Sequence, residues 1–260
     1  MKDKEKGLSS YTLKIIAVIT MTIDHTGQLI PSMPFFLRMI GRLSAPLFFF
    51  TLAYSFQNTT SRRRFLFRIY VASIVMELTK IIAFFIDSRT KHIVPNNIFG
   101  TMCIAVLLAI CLESILVFFR ARNFPVVLCY LAIVIIVIVW SFVTLELPET
   151  VLWLIRAVAP SIQQVEGGVS LVVLLTGMCL FATKKRSLII FYSGYCLLEL
   201  IGTIVEAGFH TLLYNIQWMM IFAIPLFIMY NGERGKSRKW FFYVYYPSHI
   251  WILYMIGSLL

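Results

Sequence analysis

An all-α, polytopic bundle of about nine membrane-spanning helices is the fold this sequence predicts, and three observations carry it. Of the 260 residues, 60% are hydrophobic and only 13% charged, whereas soluble domains carry about 25% charged residues; the mean hydropathy is +0.86. The apolar residues fall in runs near the length of about 20 that crosses a bilayer. The basic residues gather in short connectors between alternate runs.

The first run, 11–30, follows a basic start at Lys2, Lys4 and Lys6 and lacks a small-residue cleavage site. It therefore reads as a retained helix rather than a signal peptide. Further spans are expected at 35–56, 65–86, 98–119, 124–145, 167–183, 187–207, 213–230 and 240–260. The eighth is the weakest, with Asn215 and Gln217 near its start. The stretch Val151–Ile162 is too short to cross and ends at Pro160, so it reads as a re-entrant or interfacial helix. No internal repeat or long linker divides the chain, which reads as one domain, 1–260.

The net charge of +11 would suggest nucleic acid in a soluble protein. Here the basic residues are better read as topology signals and contacts to anionic head groups, and no nucleic-acid partner is expected. With the N-terminus inside, fifteen basic residues face the cytoplasm: Lys2, Lys4, Lys6, Arg62 to Arg64, Arg120, Arg122, Lys184 to Arg186, Arg234, Lys236, Arg238 and Lys239. The other side receives Arg89, Lys91 and Arg156. That bias predicts an N-inside, C-outside bundle. Cys103, Cys111, Cys129, Cys179 and Cys196 all lie in apolar runs without a C-x-x-C pair. They read as small apolar residues, with neither disulfide nor metal expected.

Ionisable groups inside apolar runs are expensive and mark the place to look for chemistry. Asp24 and Arg42 fall about 9–10 Å from the outer ends of consecutive spans, with Arg38 one turn above Arg42, so a charge pair is expected. Glu77 and Lys80, three residues apart, can neutralise each other on one helix. His25 reads either as a satisfied core histidine or as a general base. Asp24, next to it in sequence, points about 100° away and is an imperfect direct partner. Lys14 shares the His25 face, about 16 Å off at the cytoplasmic mouth. It reads as a snorkelling lysine or as a guide for a long cofactor with an anionic head. His249 lies about 14 Å into the last span, beside Pro247, with Tyr246 three residues before it. Glu113 and Glu199 have no evident partner in the sequence.

The blocks Leu13–Ala17, Met21–His25, Ile40–Phe48, Asn97–Thr101, Tyr230–Gly235 and Phe242–His249 together resemble the TraX family, named for a protein that N-acetylates conjugative pilin. That family in turn looks like a distant relative of the membrane acyltransferase-3 enzymes, whose basic-x10-histidine spacing Lys14 and His25 reproduce. The resemblance implies a multi-pass acetyltransferase of the bacterial cytoplasmic membrane, using acetyl-CoA from the cytoplasm and an amine or hydroxyl acceptor on the outer face. It implies His25 as general base, Arg42 as a site residue and His249 from the terminal block. With these, Asp24 is expected in the catalytic group, and Lys14, Arg38, Asn97, Tyr246 and His249 as substrate- or cofactor-binding residues. Arg62 to Arg64, Lys184 to Arg186 and residues 234–239 are candidates for the phosphates of the cofactor. With no serine or cysteine placed beside His25, direct transfer is expected rather than an acyl-enzyme. The alternatives are a proton-coupled transporter using Asp24, Arg42, Glu77, Lys80 and His249, and a non-catalytic partner in pilus or surface-polymer assembly.

Overall fold

The computed structural model describes residues 7–86, 97–236 and 238–260. Those residues are helical throughout, joined by short turns, with no β-strand among them. In chain order the helices are α1 (Ser10–Leu29), α2 (Phe36–Gly41), α3 (Ser44–Gln57), α4 (Arg62–Ile86), α5 (Ile98–Arg120), α6 (Phe124–Glu146), α7 (Glu149–Val158), α8 (Gly168–Phe181), α9 (Lys185–Ala207), α10 (Ile224–Ile228) and α11 (Lys239–Leu259). Among the described residues, four stretches are long and apolar enough to cross a membrane: Phe36–Gln57 taken through its break, α5, α6 and α9. On α6, Leu128, Ile135, Ile136, Val139 and Phe142 are all exposed. That is untenable in water and natural against lipid. The basic positions Arg89 and Lys91 lie outside the described residues.

Two expected spans differ in kind. The second is broken after Gly41, and α2 and α3 meet through Arg42 and Leu43. Pro46 has no N–H to return to the Arg42 carbonyl, and its ring would press on that carbonyl in a continuous helix. It therefore sits in the first turn of a new helix, where a missing N–H is harmless. The eighth is not a continuous α-helix. It runs through two 3-10 segments, Phe209–Leu213 and Gln217–Ala223, before the single turn of α10 that carries Pro225. The short apolar piece after α6 is α7, ten residues or about 15 Å, less than a bilayer core.

The chain divides into two compact units, one of Met1–Tyr54 with Phe181–Leu260 and one of Ser55–Leu180. In the first, α3, α9 and α10 share an aromatic core. Phe50 and Phe227 stack at 4.2 Å, Tyr192 meets Phe227 at 4.9 Å, and Tyr230 lies edge-on to Phe50 and Tyr54. The buried Tyr192 hydroxyl donates to the Met220 carbonyl at 2.6 Å. The 3-10 segment is thereby tied to α9.

Helix α1 is fixed at its start by the segment before α11. Leu8 N–H donates to the Met229 carbonyl, Asn231 N–H to Leu8, Ser10 N–H to Glu233 and Tyr11 N–H to Arg234, all within 2.8–3.1 Å. Ser9 caps the Thr12 N–H. The first donors of α1, unpaired in an isolated helix, are thus consumed by the protein itself. Along their length α1 and α11 run in the same direction. Lys14 meets Phe242, Thr22 meets Tyr245, His25 meets His249, and Gly257 touches the last turn of α1, where a Cβ would overlap the Leu29 carbonyl.

In the second unit, α4 and α5 are joined by Asn97. It caps Gly100 N–H through Oδ1 and donates through Nδ2 to the carbonyl and hydroxyl oxygens of Ser73 at 2.8 and 3.0 Å. The segment after α7 is pinned to α6: Trp140 donates to the Ala159 carbonyl, Thr144 meets Ser161 at 2.6 Å, and Ile162 N–H donates to Ser141. Glu113, partnerless in the sequence reading, holds Arg62 at 3.2 Å and accepts from Gln57 at 2.7 Å. Arg62 also donates to the Phe56 carbonyl and lies 3.5 Å over the Phe56 ring. Arg62 is therefore committed internally, which withdraws it from the basic groups available to a phosphate; Arg63 and Arg64 stay exposed. Glu77 and Lys80 pair at 3.3 Å, as the spacing predicts.

Candidate active site

The first unit gathers seven of the eight residues singled out in the sequence: Lys14, Asp24, His25, Arg38, Arg42, Tyr246 and His249. Asn97 belongs to the second unit, where its side chain serves as the α5 cap.

Asp24 is buried on α1 and receives both arginines of the α2 segment. Arg38 Nη1 lies 3.0 Å from Oδ2, and Arg42 Nη2 lies 3.1 Å from Oδ1. Such an arrangement needs close helices, and Gly41 allows it: a Cβ there would overlap the Asp24 side chain. The break after Gly41 then places Arg42 at the end of α2. Its Nε donates to the Arg38 carbonyl and its Nη1 to Gln217 Oε1 at 3.0 Å. Arg38 also donates to Gln28 Oε1 at 2.9 Å. Gly41→Ala is expected to part α1 from α2 and lower stability by about 1–3 kcal/mol, the usual range for overpacking. A thermal melt of the solubilised protein checks this; an unchanged midpoint would mean the contact is not tight.

His25 lies one residue on and faces α11. Its Nδ1 is 2.7 Å from His249 Nε2, the rings are nearly parallel with 5.0 Å between centroids, and both side chains are buried. His249 Nδ1 lies 2.9 Å from the Tyr245 carbonyl, one turn back on α11. A carbonyl only accepts, so Nδ1 of His249 carries the proton and Nε2 carries the lone pair. His25 must then donate from Nδ1, and the lone pair of its imidazole falls on Nε2. Among the described residues no hydrogen bond reaches that Nε2, which is not a fully enclosed atom. The Tyr245 ring stacks on His249 at 5.1 Å, and Tyr246 meets it edge-on at 5.7 Å. Thr22 donates to the Val18 carbonyl at 2.8 Å, so the Tyr245 hydroxyl, 2.7 Å away, donates to Thr22. Lys14 is half-buried with its ammonium 5.8 Å over the Phe242 ring.

Gln28, Gln217, Tyr245 and Thr22 were not singled out in the sequence as site residues. Gln217 registered only as a polar residue weakening the eighth span. Thr22 and Tyr245 were within reach: they precede His25 and His249 by one helical turn, and residues three or four apart share a face. The cluster as a whole is an imidazole with a defined tautomer beside a carboxylate that holds two guanidiniums. This arrangement can take a proton from an acceptor and keep cationic donors close to developing negative charge.

Residues 9–257 match the family described as TraX protein. The chain belongs to the TraX family. The match takes in both halves of the histidine pair and the whole Asp24–Arg42 cluster. This TraX chain is also 25% identical, over 268 aligned residues and 94% of each chain, to a protein of Dichelobacter nodosus described as probable fimbrial assembly protein FimC, serogroup H1. No solved structure matches this TraX chain.

Proposed function

We propose that this protein is a membrane-embedded acetyltransferase of the bacterial cytoplasmic membrane, moving acetyl from cytoplasmic acetyl-CoA to an amine or hydroxyl on the outer face. A pilin-like peptide or a surface glycan is the acceptor class, in keeping with a TraX chain that resembles a fimbrial assembly protein. The observation that carries the reading is the buried His25, tied through Nδ1 to His249 and left with a bare Nε2.

In the reaction, His25 Nε2 removes the proton of the acceptor as its nitrogen or oxygen attacks the thioester carbonyl carbon. The carbon–sulfur bond then breaks, and the leaving thiolate takes the proton back from His25. Acetylated acceptor and free CoA result, and the imidazole returns to its starting form. Arg42 either orients the acceptor or stabilises the oxyanion through the second N–H of Nη1, while Asp24 and Gln217 hold its guanidinium in place. The pantetheine arm runs along the Lys14–His25 face of α1. The cofactor phosphates meet the exposed basic residues of the same unit, Lys184, Arg186, Arg234 and Lys236. A proton-path reading is less supported, because Asp24, Glu77 and Glu113 are each held in an ion pair. Purified protein given labelled acetyl-CoA and membrane or pilus extract from a deletion strain should transfer label; no transfer and no hydrolysis would overturn the proposal.

The orientation is N-inside and C-outside, with about nine crossings. The same-direction pairing of α1 and α11 supports the odd count, since two parallel spans enclose an odd number of crossings, and the bias of basic residues supports the direction. A reporter after Leu260 is expected to read extracytoplasmic, and reporters at 120–122 and 184–186 cytoplasmic. A cytoplasmic reading after Leu260 would make the count even.

A further inference from the structure

The acetyl-transfer reading requires one histidine, yet two are buried in contact. A free imidazole has two ring nitrogens, and a base must present the unprotonated one to its substrate. In most oriented bases a third group fixes that choice by accepting a hydrogen bond from the far nitrogen. Asp24 is the carboxylate adjacent to His25 in sequence, but both its oxygens are held by Arg38 and Arg42. The far nitrogen of His25 points instead to His249.

We infer that His249 is the positioning residue of this site. It fixes His25 in the form protonated on Nδ1 and bare on Nε2, the role a carboxylate takes in other base–orienter pairs. The inference rests on the transfer reading for its kinetic consequences but not for its geometry. Three features make His249 suited to the task. Its own tautomer is set by a group that cannot donate, the Tyr245 carbonyl at 2.9 Å. Its ring is nearly parallel to both the His25 and Tyr245 rings, at 12° and 9°, with His25 meeting it edge to edge through the hydrogen bond. The Tyr245 ring is itself anchored to α1 through its hydroxyl on Thr22 at 2.7 Å. Helix α11 therefore returns to α1 twice within one turn, once to orient the base and once to hold the orienter. During turnover the Nδ1 proton stays between the two histidines while Nε2 gains and loses the acceptor's proton, so no net proton leaves the pair.

The test compares His249→Leu with His249→Gln. Glutamine offers a carbonyl oxygen that can accept the His25 Nδ1–H; leucine offers nothing. Solid-state ¹⁵N NMR of histidine-labelled protein reads the tautomer directly, with His25→Ala to assign the signal. Expected is an Nδ1–H, bare Nε2 form of His25 in the unsubstituted protein and in H249Q, and conversion to the Nε2–H form in H249L. In acetyl transfer, H249L should lose about 10²–10⁴-fold in kcat with KM little changed, and H249Q should recover most of it. An unchanged His25 tautomer in H249L, or equal loss in both variants, overturns the positioning role. If the tautomer moves as expected but the unsubstituted protein transfers no acetyl, His249 still orients His25 and it is the acetyltransferase reading that fails.

Discussion

Replacing His25 with alanine is expected to lower acetyl transfer by about 10²–10⁴-fold, the usual effect of losing a general base. Among the described residues the side chain makes one hydrogen bond, to His249. Its removal therefore leaves α1 held by its capped start, by Thr22 on Tyr245, and by Asp24 on the two arginines. Expression, detergent extraction and melting should stay near those of the unsubstituted protein. Initial-rate measurements with labelled acetyl-CoA decide the matter. Activity within a few-fold of normal in well-folded H25A would remove His25 from the chemistry and leave the pair as a structural contact.

The second large effect is on stability. Asp24→Ala strands two guanidiniums in the α1–α2 contact, and breaking a buried pair by removing one partner costs about 3–5 kcal/mol. Asp24 and the arginines are not equally enclosed: the carboxylate side chain is 12% exposed, Arg38 25% and Arg42 22%. The loss should fall toward the lower end, because the guanidiniums can reach partly for solvent or head groups. Removing the stranded charges should restore part of the stability, so D24A combined with R38M and R42M is expected to melt above D24A alone. A triple variant no more stable than D24A would show that packing around Gly41, rather than charge, holds the two helices together.

Much of this arrangement could be read from residue order, and the exceptions have identifiable causes. Helices α5, α6 and α9 follow their apolar runs within a few residues because length and hydropathy are local properties. The pairs Asp24–Arg42 and Glu77–Lys80 were legible for a related reason: one lies on consecutive antiparallel segments at matching depth, the other within a single helical turn. Gly41, Arg42 and Pro46 contained the break in the second span, yet an apolar run of the right length overrode them. The eighth span misled for the opposite reason, its apolar composition hiding a backbone of short 3-10 segments around Asn215, Gln217 and Pro225. The contacts His25–His249 and Arg62–Glu113 were out of reach. No periodicity links residues so far apart, and depth along a span does not say which of several neighbours a side chain will face.

The pairing of α1 with α11 also sets an order of events during synthesis. Asp24 and Arg42 are 18 residues apart and can neutralise each other as soon as the first helical hairpin leaves the ribosome, while its charges are being inserted. His25 and His249 are separated by 224 residues, so His25 stays without its partner until almost the last residue is made. Domains generally form from the N-terminus during translation, and here the charge cluster belongs to the earliest intermediate and the histidine pair to the final one. A chain truncated before α11 would carry the Asp24 ion pairs but leave His25 without its His249 partner.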